Sequence, residues 1–195
     1  MDSAKAKVLV MGPKQCGKTR IANFLSGHEE SPDFSTPYKP TKGTRILEFE
    51  ENVQTGKGRP VQLSVEMWDC SGDEQYNSCW PAILRDVSGV LMVYDPTKKE
   101  QEKDIDTWYK SFVARLGLKD AQILLFAHSG GAPARNTYQA PRNLDKFRFL
   151  NTTLDNEETT AAMKQTFSEF LGAVAVAAVE SANAAMDASL DMATR

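Results

Sequence analysis

At residues 12–19 the chain reads Gly12-Pro13-Lys14-Gln15-Cys16-Gly17-Lys18-Thr19. This run matches G-x-x-x-x-G-K-[ST], the phosphate-binding loop. Residues 5–11 before it form an apolar run that predicts a strand, and residues 20–25 after it have the spacing of an amphipathic helix. The order of strand, loop and helix is the context that the motif requires.

The residue types in this loop predict how it binds an anion. Glycine at positions 12 and 17 permits backbone angles that residues with a Cβ resist, so successive N–H groups can point inward at a phosphate. The helix N-terminus adds partial positive charge. Lys18 is expected to reach the outer phosphates, and the Thr19 hydroxyl is expected to bind Mg²⁺. The predicted nucleotide-binding residues here are Lys14, Gln15, Cys16, Gly17, Lys18, Thr19 and Arg20. The alternative is a glycine-rich turn before a capped helix.

Composition limits the other functions. A chain of 195 residues with 41% apolar residues suits one domain with an ordinary core. We predict a domain at residues 1–178 and an alanine-rich helical extension or tail at 179–195. A net charge of −3 gives no reason to expect nucleic-acid binding. Three cysteines without a pairing pattern favour a reducing compartment.

The ends of the chain carry no acceptor for a lipid. Asp2 stands where N-myristoylation needs glycine, and the C-terminal region has no cysteine for prenylation. The longest apolar stretch, residues 171–179, is shorter than a membrane-spanning helix needs. We therefore expect no direct lipid anchor.

Strand-like and helix-like segments alternate along the chain, which predicts an α/β fold. Further strands are expected at residues 44–51, 60–68, 88–94, 121–127 and 146–150, and helices at 102–116 and from 157 onward. A hairpin turn at 54–58 makes one strand antiparallel. The prediction is one domain with a mostly parallel six-stranded sheet and helices on both faces.

Two further segments contain residues suited to a nucleotide site. Asp69 directly follows a predicted strand, where its carboxylate can hold Mg²⁺ through water, and the N–H of Gly72 can meet a γ-phosphate. Thr41 offers a second hydroxyl to the metal ion. Phe34 can cover a base, and Tyr38 lies close to it in sequence; either aromatic residue can instead be a packing residue.

Together these elements resemble the Ras superfamily of small GTPases over most of the chain. Phe34, Tyr38, Pro40 and Thr41 match the family's first switch segment, and Trp68, Asp69, Gly72 and Glu74 match its second. The resemblance implies a small-GTPase fold that binds GTP or GDP with Mg²⁺.

Other segments are similar to the Rab-like GTPases of intraflagellar transport complex B, among them Gly43-Thr44-Arg45-Ile46-Leu47 and Ser78-Cys79-Trp80-Pro81-Ala82. That similarity implies docking on the coiled-coil core subunits of the complex. It also implies a location in the cytoplasm, in the cilium or flagellum and at its base.

Two residues depart from the family pattern near the γ-phosphate. Asp73 stands where the family has a glutamine that orients the attacking water, and an ionised carboxylate can only accept hydrogen bonds. Lys14 stands where active relatives have glycine. Both changes predict slow hydrolysis; the alternative is that Asp73 is a catalytic general base.

The base-recognition motif is also altered. The family pattern Asn-Lys-x-Asp is replaced by His128-Ser129-Gly130-Gly131. We expect Ser129, Thr152 and Thr153 to lie near the base, with backbone N–H groups donating to guanine O6. Guanine specificity is then either supplied from elsewhere or weak, and we expect GTP and GDP to bind more weakly than in typical relatives. His128 is interpreted as a structural loop residue, with base reading as the alternative.

Several assignments stay open at this point. Cys16 is either packed beneath the loop or a thiol with a lowered pKa. Tyr76 and Trp80 are either core residues or partner anchors. For the whole chain, the favoured function is a GTP-binding adaptor with slow hydrolysis. The alternatives are a cycling GTPase switch and a structural subunit with a vestigial loop.

Overall fold

We describe a computed structural model of the chain at residues 3–29, 37–55, 60–130 and 137–193, with side chains described as far as residue 181. Phe34, the predicted base cover, and most of the predicted hairpin turn lie outside the described residues.

Six strands form one sheet in the order β2-β3-β1-β4-β5-β6. Strand β2 pairs with β3 in antiparallel register, and every other pairing is parallel. This confirms the predicted fold class. The strand bounds are β1 Ser3–Met11, β2 Thr44–Gln54, β3 Pro60–Cys70, β4 Gly89–Tyr94, β5 Ile123–His128 and β6 Arg148–Thr152.

Helices cover both faces of the sheet. The α-helices are α1 Lys18–Leu25, α2 Trp80–Ile83, α3 Lys99–Trp108 and α4 Glu157–Ala193. Short 3₁₀ helices span Glu74–Cys79 and Asp120–Gln122, and one π-helical turn, Tyr109–Val113, follows α3 directly. No helix in the described ranges is long and apolar enough to cross a membrane.

Strand β1 divides the core into two layers because successive side chains of a strand point to opposite faces. Val8 and Val10 belong to the layer beneath α1 and α4, and Leu9 and Met11 belong to the layer beneath α2 and α3. All four side chains are fully buried. The central strands β4 and β5 are buried along their whole length and read as continuous apolar runs, as expected for strands covered on both sides.

Several predicted boundaries were wrong by a few residues. Strands β2 and β3 extend to Gln54 and Cys70, because their backbone pairing continues past the apolar pattern. Helix α3 begins earlier, at Lys99 rather than 102, because its first turn is polar. Strand β6 covers 148–152 instead of 146–150, because it follows the register of β5.

Helix α4 continues through the alanine-rich segment as far as Ala193. Its apolar stripe, which includes Met163, Phe167, Phe170 and Leu171, packs on the sheet. Near the far end of the packed part, Lys119 forms an ion pair with Glu180. The domain boundary at residue 178 stays a prediction, since the helix is continuous across it.

Candidate functional site

A cleft of about 560 Å³ lies at the carboxyl ends of the parallel strands, the position at which α/β sheets bind ligands. Its volume is in the range of small-molecule sites. Most of the predicted site residues line it: Lys14, Gln15, Cys16, Gly17, Lys18, Thr19, Arg20, Tyr38, Thr41, Gly72 and Asp73. The structure therefore brings the loop and both switch segments to one place.

The glycines of the loop are required by their surroundings. Gly12 has a φ of 143°, and a Cβ there would lie 2.0 Å from the carbonyl oxygen of Val93. Gly17 has a φ of 89°, and a Cβ there would lie 2.4 Å from Cδ2 of His128. Neither position accepts a side chain, so the loop fits tightly between β4 and β5.

The Lys18 side chain turns back into the loop formed by residues 12–17. Its ammonium donates to the carbonyl oxygens of Gly12 at 3.0 Å and Pro13 at 2.6 Å, and the residue is only 7% exposed. A buried charge held by backbone carbonyls is positioned to meet an anion at the mouth of the loop.

Thr19, Thr41 and Asp69 form a hydrogen-bonded triangle. The Thr19 hydroxyl donates to Oδ2 of Asp69 at 2.8 Å, and the two threonine hydroxyl oxygens are 2.9 Å apart. Thr41 lies 3.4 Å from the same carboxylate oxygen. Asp69 is fully buried, and this burial raises the pKa of its carboxyl, although Thr19, Arg45 and Lys18 oppose the rise.

The triangle has the donor set that Mg²⁺ prefers, one carboxylate and two hydroxyls, with the remaining positions left to water and phosphate oxygens. Oδ1 of Asp69 is buried and accepts no hydrogen bond from the described residues. A buried carboxylate oxygen without a donor is costly unless a cation satisfies it. Thr19, Thr41 and Asp69 therefore fit a magnesium site.

The second switch segment presses directly on the loop. A Cβ on Gly72 would lie 2.6 Å from the backbone nitrogen of Lys14 and 2.7 Å from the carbonyl oxygen of Gly12. Beside this contact, Oδ2 of Asp73 forms an ion pair with Nζ of Lys14 at 2.9 Å. The hydrogen bond from Lys14 lowers the pKa of the Asp73 carboxyl. Its other oxygen accepts from the N–H of Gln75 and caps the following 3₁₀ helix.

The region from the end of β4 into the first turn of α3 contacts the other side of the loop, and the sequence pattern did not predict these contacts. Lys98 donates to the carbonyl oxygen of Gln15 at 3.1 Å, and Gln101 donates to that of Lys14 at 2.8 Å. The Gln101 side-chain oxygen accepts from the N–H of Asp95. The available signal was a polar cluster directly after a buried strand.

The base end differs from the prediction. His128 ends β5 instead of lying in a loop, and its Nδ1 lies 3.1 Å from the Thr152 hydroxyl oxygen. Burial lowers the pKa of His128 to about 4, so the imidazole is neutral at neutral pH. The buried residues Ser129, Thr152 and Thr153 do not line the described cleft, whereas His128 and Gly130 do. Asn151 and Thr152 belong to β6 because they pair with β5.

Two open assignments are resolved by burial. Desolvation raises the pKa of the Cys16 thiol, whose sulfur lies 3.1 Å and 3.2 Å from the carbonyl oxygens of Pro13 and Val93. Cys16 is therefore a packing residue. Trp80 is 3% exposed, with an edge-to-face contact to Trp108 and a tilted ring contact to Phe112, so of the two alternatives left open the core residue is the one that the structure supports.

Known proteins with a nucleotide-binding fold of this kind are similar to the chain in sequence. The model of the Roc family (Ras of Complex, Roc, domain of DAPkinase) matches residues 7–129. The Intraflagellar transport protein 22 homolog of Danio rerio is 40% identical over 173 residues, covering 87% of this chain and 90% of that protein. The Homo sapiens homolog is 36% identical over 162 residues, covering 82% and 85%.

Solved structures from T. brucei are similar as well. The GTP-bound IFT22/74/81 crystal structure contains a chain with a TM-score of 0.61 and 30% identity, covering 87% of this chain and 98% of that one. The GDP-bound IFT22 crystal structure has a TM-score of 0.63 and 28% identity, covering 86% and 96%.

Proposed function

Because the chain belongs to the intraflagellar transport protein 22 family of small GTPases, we propose that it is a Rab-like, guanine-nucleotide-binding subunit of an intraflagellar transport complex. The observation that carries this proposal is the hydrogen-bonded triangle of Thr19, Thr41 and Asp69. Three segments far apart in sequence, each expected to contact the phosphate end, meet there.

The phosphate end binds the nucleotide in this proposal. The N–H groups of the loop and the ammonium of Lys18 hold the phosphates, and Thr19, Thr41 and Asp69 hold Mg²⁺. The metal ion supplies positive charge that neutralises the β- and γ-phosphate oxygens. Thr41 and Gly72 respond to the γ-phosphate, so the two switch segments report which nucleotide is bound.

Hydrolysis is slow in this proposal because Asp73 is engaged. Its Oδ2 accepts from Lys14 and its Oδ1 accepts from Gln75, so both oxygens have partners on the protein. A carboxylate held in this way offers no N–H donor to align water against the γ-phosphate. The chain is a nucleotide-holding adaptor rather than an efficient enzyme.

Base recognition is weaker than in relatives with a complete Asn-Lys-x-Asp motif. No carboxylate follows directly after β5 within the described residues, where His128 and Gly130 line the cleft instead. Ser129, Thr152 and Thr153 do not line the described cleft, so backbone donors near them, with Phe34 as a cover for the base, stay a proposal for guanine recognition. We propose GTP and GDP as the ligands, with modest discrimination against ATP.

The switch segments shape a surface for partner subunits. A T. brucei relative has been crystallised in an IFT22/74/81 assembly in its GTP-bound state. For this chain we propose docking on coiled-coil core subunits of intraflagellar transport complex B, in the cytoplasm and in the cilium or flagellum.

One experiment tests base identity, retention and hydrolysis together. Purified protein is denatured, and the released nucleotide is identified by chromatography. Release of GTP or GDP at near-stoichiometric yield supports the proposal, and release of ATP would overturn the guanine assignment. Lys18→Ala is expected to release no nucleotide and to bind partner subunits more weakly. Undiminished docking by Lys18→Ala would instead support a nucleotide-independent structural subunit.

A further inference from the structure

An arginine lies beside the proposed magnesium ligand. Nη2 of Arg45, the second residue of β2, is 3.5 Å from Oδ2 of Asp69, the same oxygen that accepts from Thr19. The carboxylate is fully buried, whereas the arginine side chain is 41% exposed. Asp69 thus has a resident cation of its own on the protein.

The guanidinium is held in place by a second contact. It donates to Oδ1 of Asn23 in α1, and Asn23 in turn donates to Oε1 of Glu29 at 2.6 Å. Asn23 and Glu29 both line the cleft. The chain of contacts from Asp69 through Arg45 and Asn23 to Glu29 therefore runs from the proposed metal position to the rim of the cleft.

We propose that Arg45 is a built-in counter-ion of Asp69 that competes with the divalent cation and makes nucleotide retention less dependent on Mg²⁺. This inference rests on the proposed nucleotide binding at the same cleft. The guanidinium is a delocalised cation with several N–H donors, which suits it to pair with a carboxylate.

The competition follows from Coulomb's law. A divalent cation held at the Asp69 carboxylate would be repelled by Arg45, because Nη2 of Arg45 lies 3.5 Å from Oδ2 of that carboxylate. Without the divalent cation, Arg45 still balances Asp69 and adds positive potential near the phosphates. Lys18 is the other cation that acts on this carboxyl, and it remains in both conditions.

The test compares nucleotide dissociation with and without the metal ion. A fluorescent GDP analogue is loaded on the protein, and its dissociation rate is measured in excess Mg²⁺ and in excess EDTA. For Arg45→Gln the ratio of the EDTA rate to the Mg²⁺ rate is expected to rise about tenfold, because removing the charge strengthens metal binding and weakens metal-free retention. The Mg²⁺ concentration at which the slowing of dissociation is half complete is expected to fall in this variant.

Matched variants separate charge from structure. Arg45→Lys keeps the charge and is expected to stay near the original ratio, and Arg148→Gln removes one exposed positive charge that pairs with Glu169 on α4. Arg45→Met, which keeps the alkyl stem, replaces Arg45→Gln if that variant does not fold. Asn23→Ala removes the acceptor that holds the guanidinium and is expected to raise the ratio by a smaller factor.

Each result decides the question. If both dissociation rates change by the same factor in the Arg45 variants, the ratio is unchanged and Arg45 has only a structural role. The inference is then overturned, as it also is when neither rate changes in any variant that folds. If the unaltered protein retains no guanine nucleotide in either condition, the proposed function fails, which is a different result.

Discussion

The ammonium nitrogen of Lys14 lies 2.9 Å from Oδ2 of Asp73 and joins the phosphate-binding loop to the second switch segment. These are the two positions at which the chain departs from the family pattern near the proposed position of the γ-phosphate. The structure makes them one feature, because each side chain satisfies the charge of the other. Replacing one of them alone therefore leaves its partner without its ion pair at the proposed site of hydrolysis.

We predict that restoring both positions accelerates hydrolysis more than restoring one. Asp73→Gln supplies an amide that can both donate to and accept from water, and Lys14→Gly removes the side chain that Asp73 engages. Single-turnover GTP hydrolysis is expected to rise on the order of tenfold in Asp73→Gln and further in the double variant.

Lys14→Gly alone is the control, since it frees Asp73 without adding the amide. If Lys14→Gly raises the rate as much as the double variant does, Asp73 is a general base that Lys14 restrains. Rapid hydrolysis by the unaltered protein would contradict the account altogether.

The sequence was sufficient to predict those parts of the fold and the site that depend on residues close together in the chain. The spacing of Gly12, Gly17, Lys18 and Thr19 predicts a loop whose geometry is local, and apolar runs predict strands buried on both faces. The order of elements then limits the topology to the observed sheet. Asp69 could be placed near Thr19 because the parallel strands β1 and β3 end at the same edge of the sheet, whereas Thr41 was predicted from its match to the family's first switch segment.

Contacts set by long-range packing could not be predicted in this way. The sequence around Arg45 does not predict its contact with Asp69, and the sequence around Gln101 does not predict its contact with the carbonyl oxygen of Lys14. Both contacts depend on side-chain direction across elements that are distant in sequence. Trp80 could not be assigned to core or surface, because a four-residue helix has no measurable periodicity.

Gly72→Ala is predicted to separate GTP binding from GDP binding. The added Cβ would lie 2.6 Å from backbone atoms of Lys14 and Pro13, which cannot yield as a flexible side chain would. The second switch segment must then move away from the loop, so GTP affinity is expected to fall more than GDP affinity in a titration of each nucleotide.

Gly130→Ala is the matched control, because a Cβ there meets no atom of the described structure within 4 Å. Any change in affinity caused by Gly130→Ala is expected to be equal for GTP and GDP. Equal losses in Gly72→Ala would show that Gly72 does not respond to the γ-phosphate.

His128 is predicted to make the fold sensitive to acid. Burial lowers its pKa from 6.5 to about 4, although Asp95 and Asp155 favour the charged form. Between these two pH values the unfolded chain binds a proton that the folded chain excludes. The free energy of unfolding therefore falls as pH drops through this window, by up to ~3 kcal/mol from this residue.

His128→Asn removes the titrating group and restores the family's residue type. Urea unfolding at neutral pH and near pH 4.5 is expected to show a smaller acid loss in this variant than in the unaltered protein. Identical acid losses would mean that carboxyl groups alone cause the sensitivity.

Trp80→Ala is predicted to destabilise the fold by ~3–5 kcal/mol, the usual cost of removing a buried aromatic side chain. Its ring centroid lies 5.4 Å from that of Trp108 and 4.4 Å from that of Phe112. Trp80→Phe keeps an aromatic ring and is expected to cost less in urea unfolding. A surface anchor would show little loss in either variant, which is the result that burial excludes.

Gln101 is predicted to hold the loop in its binding conformation. Its side-chain oxygen accepts from the N–H of Asp95 at 2.9 Å, and its nitrogen donates to the carbonyl oxygen of Lys14 at 2.8 Å. Gln101→Met removes both bonds and leaves the buried N–H of Asp95 unsatisfied, at ~1–3 kcal/mol, while the part-buried carbonyl oxygen of Lys14 also loses its donor. Nucleotide affinity is expected to fall about tenfold or more, measured with a fluorescent GDP analogue.

Gln101→Glu keeps the acceptor for the N–H of Asp95 but turns a carboxylate oxygen toward the carbonyl oxygen of Lys14. This buried negative charge has no donor on the loop, so both stability and nucleotide affinity are expected to fall at least as far as in Gln101→Met. The control for the substitution itself is Gln165→Met. Gln165 is an exposed glutamine on α4, and among the contacts described it bonds only Glu169. Affinity loss in strict proportion to stability loss across these variants would mean that Gln101 supports the fold and does not position the loop.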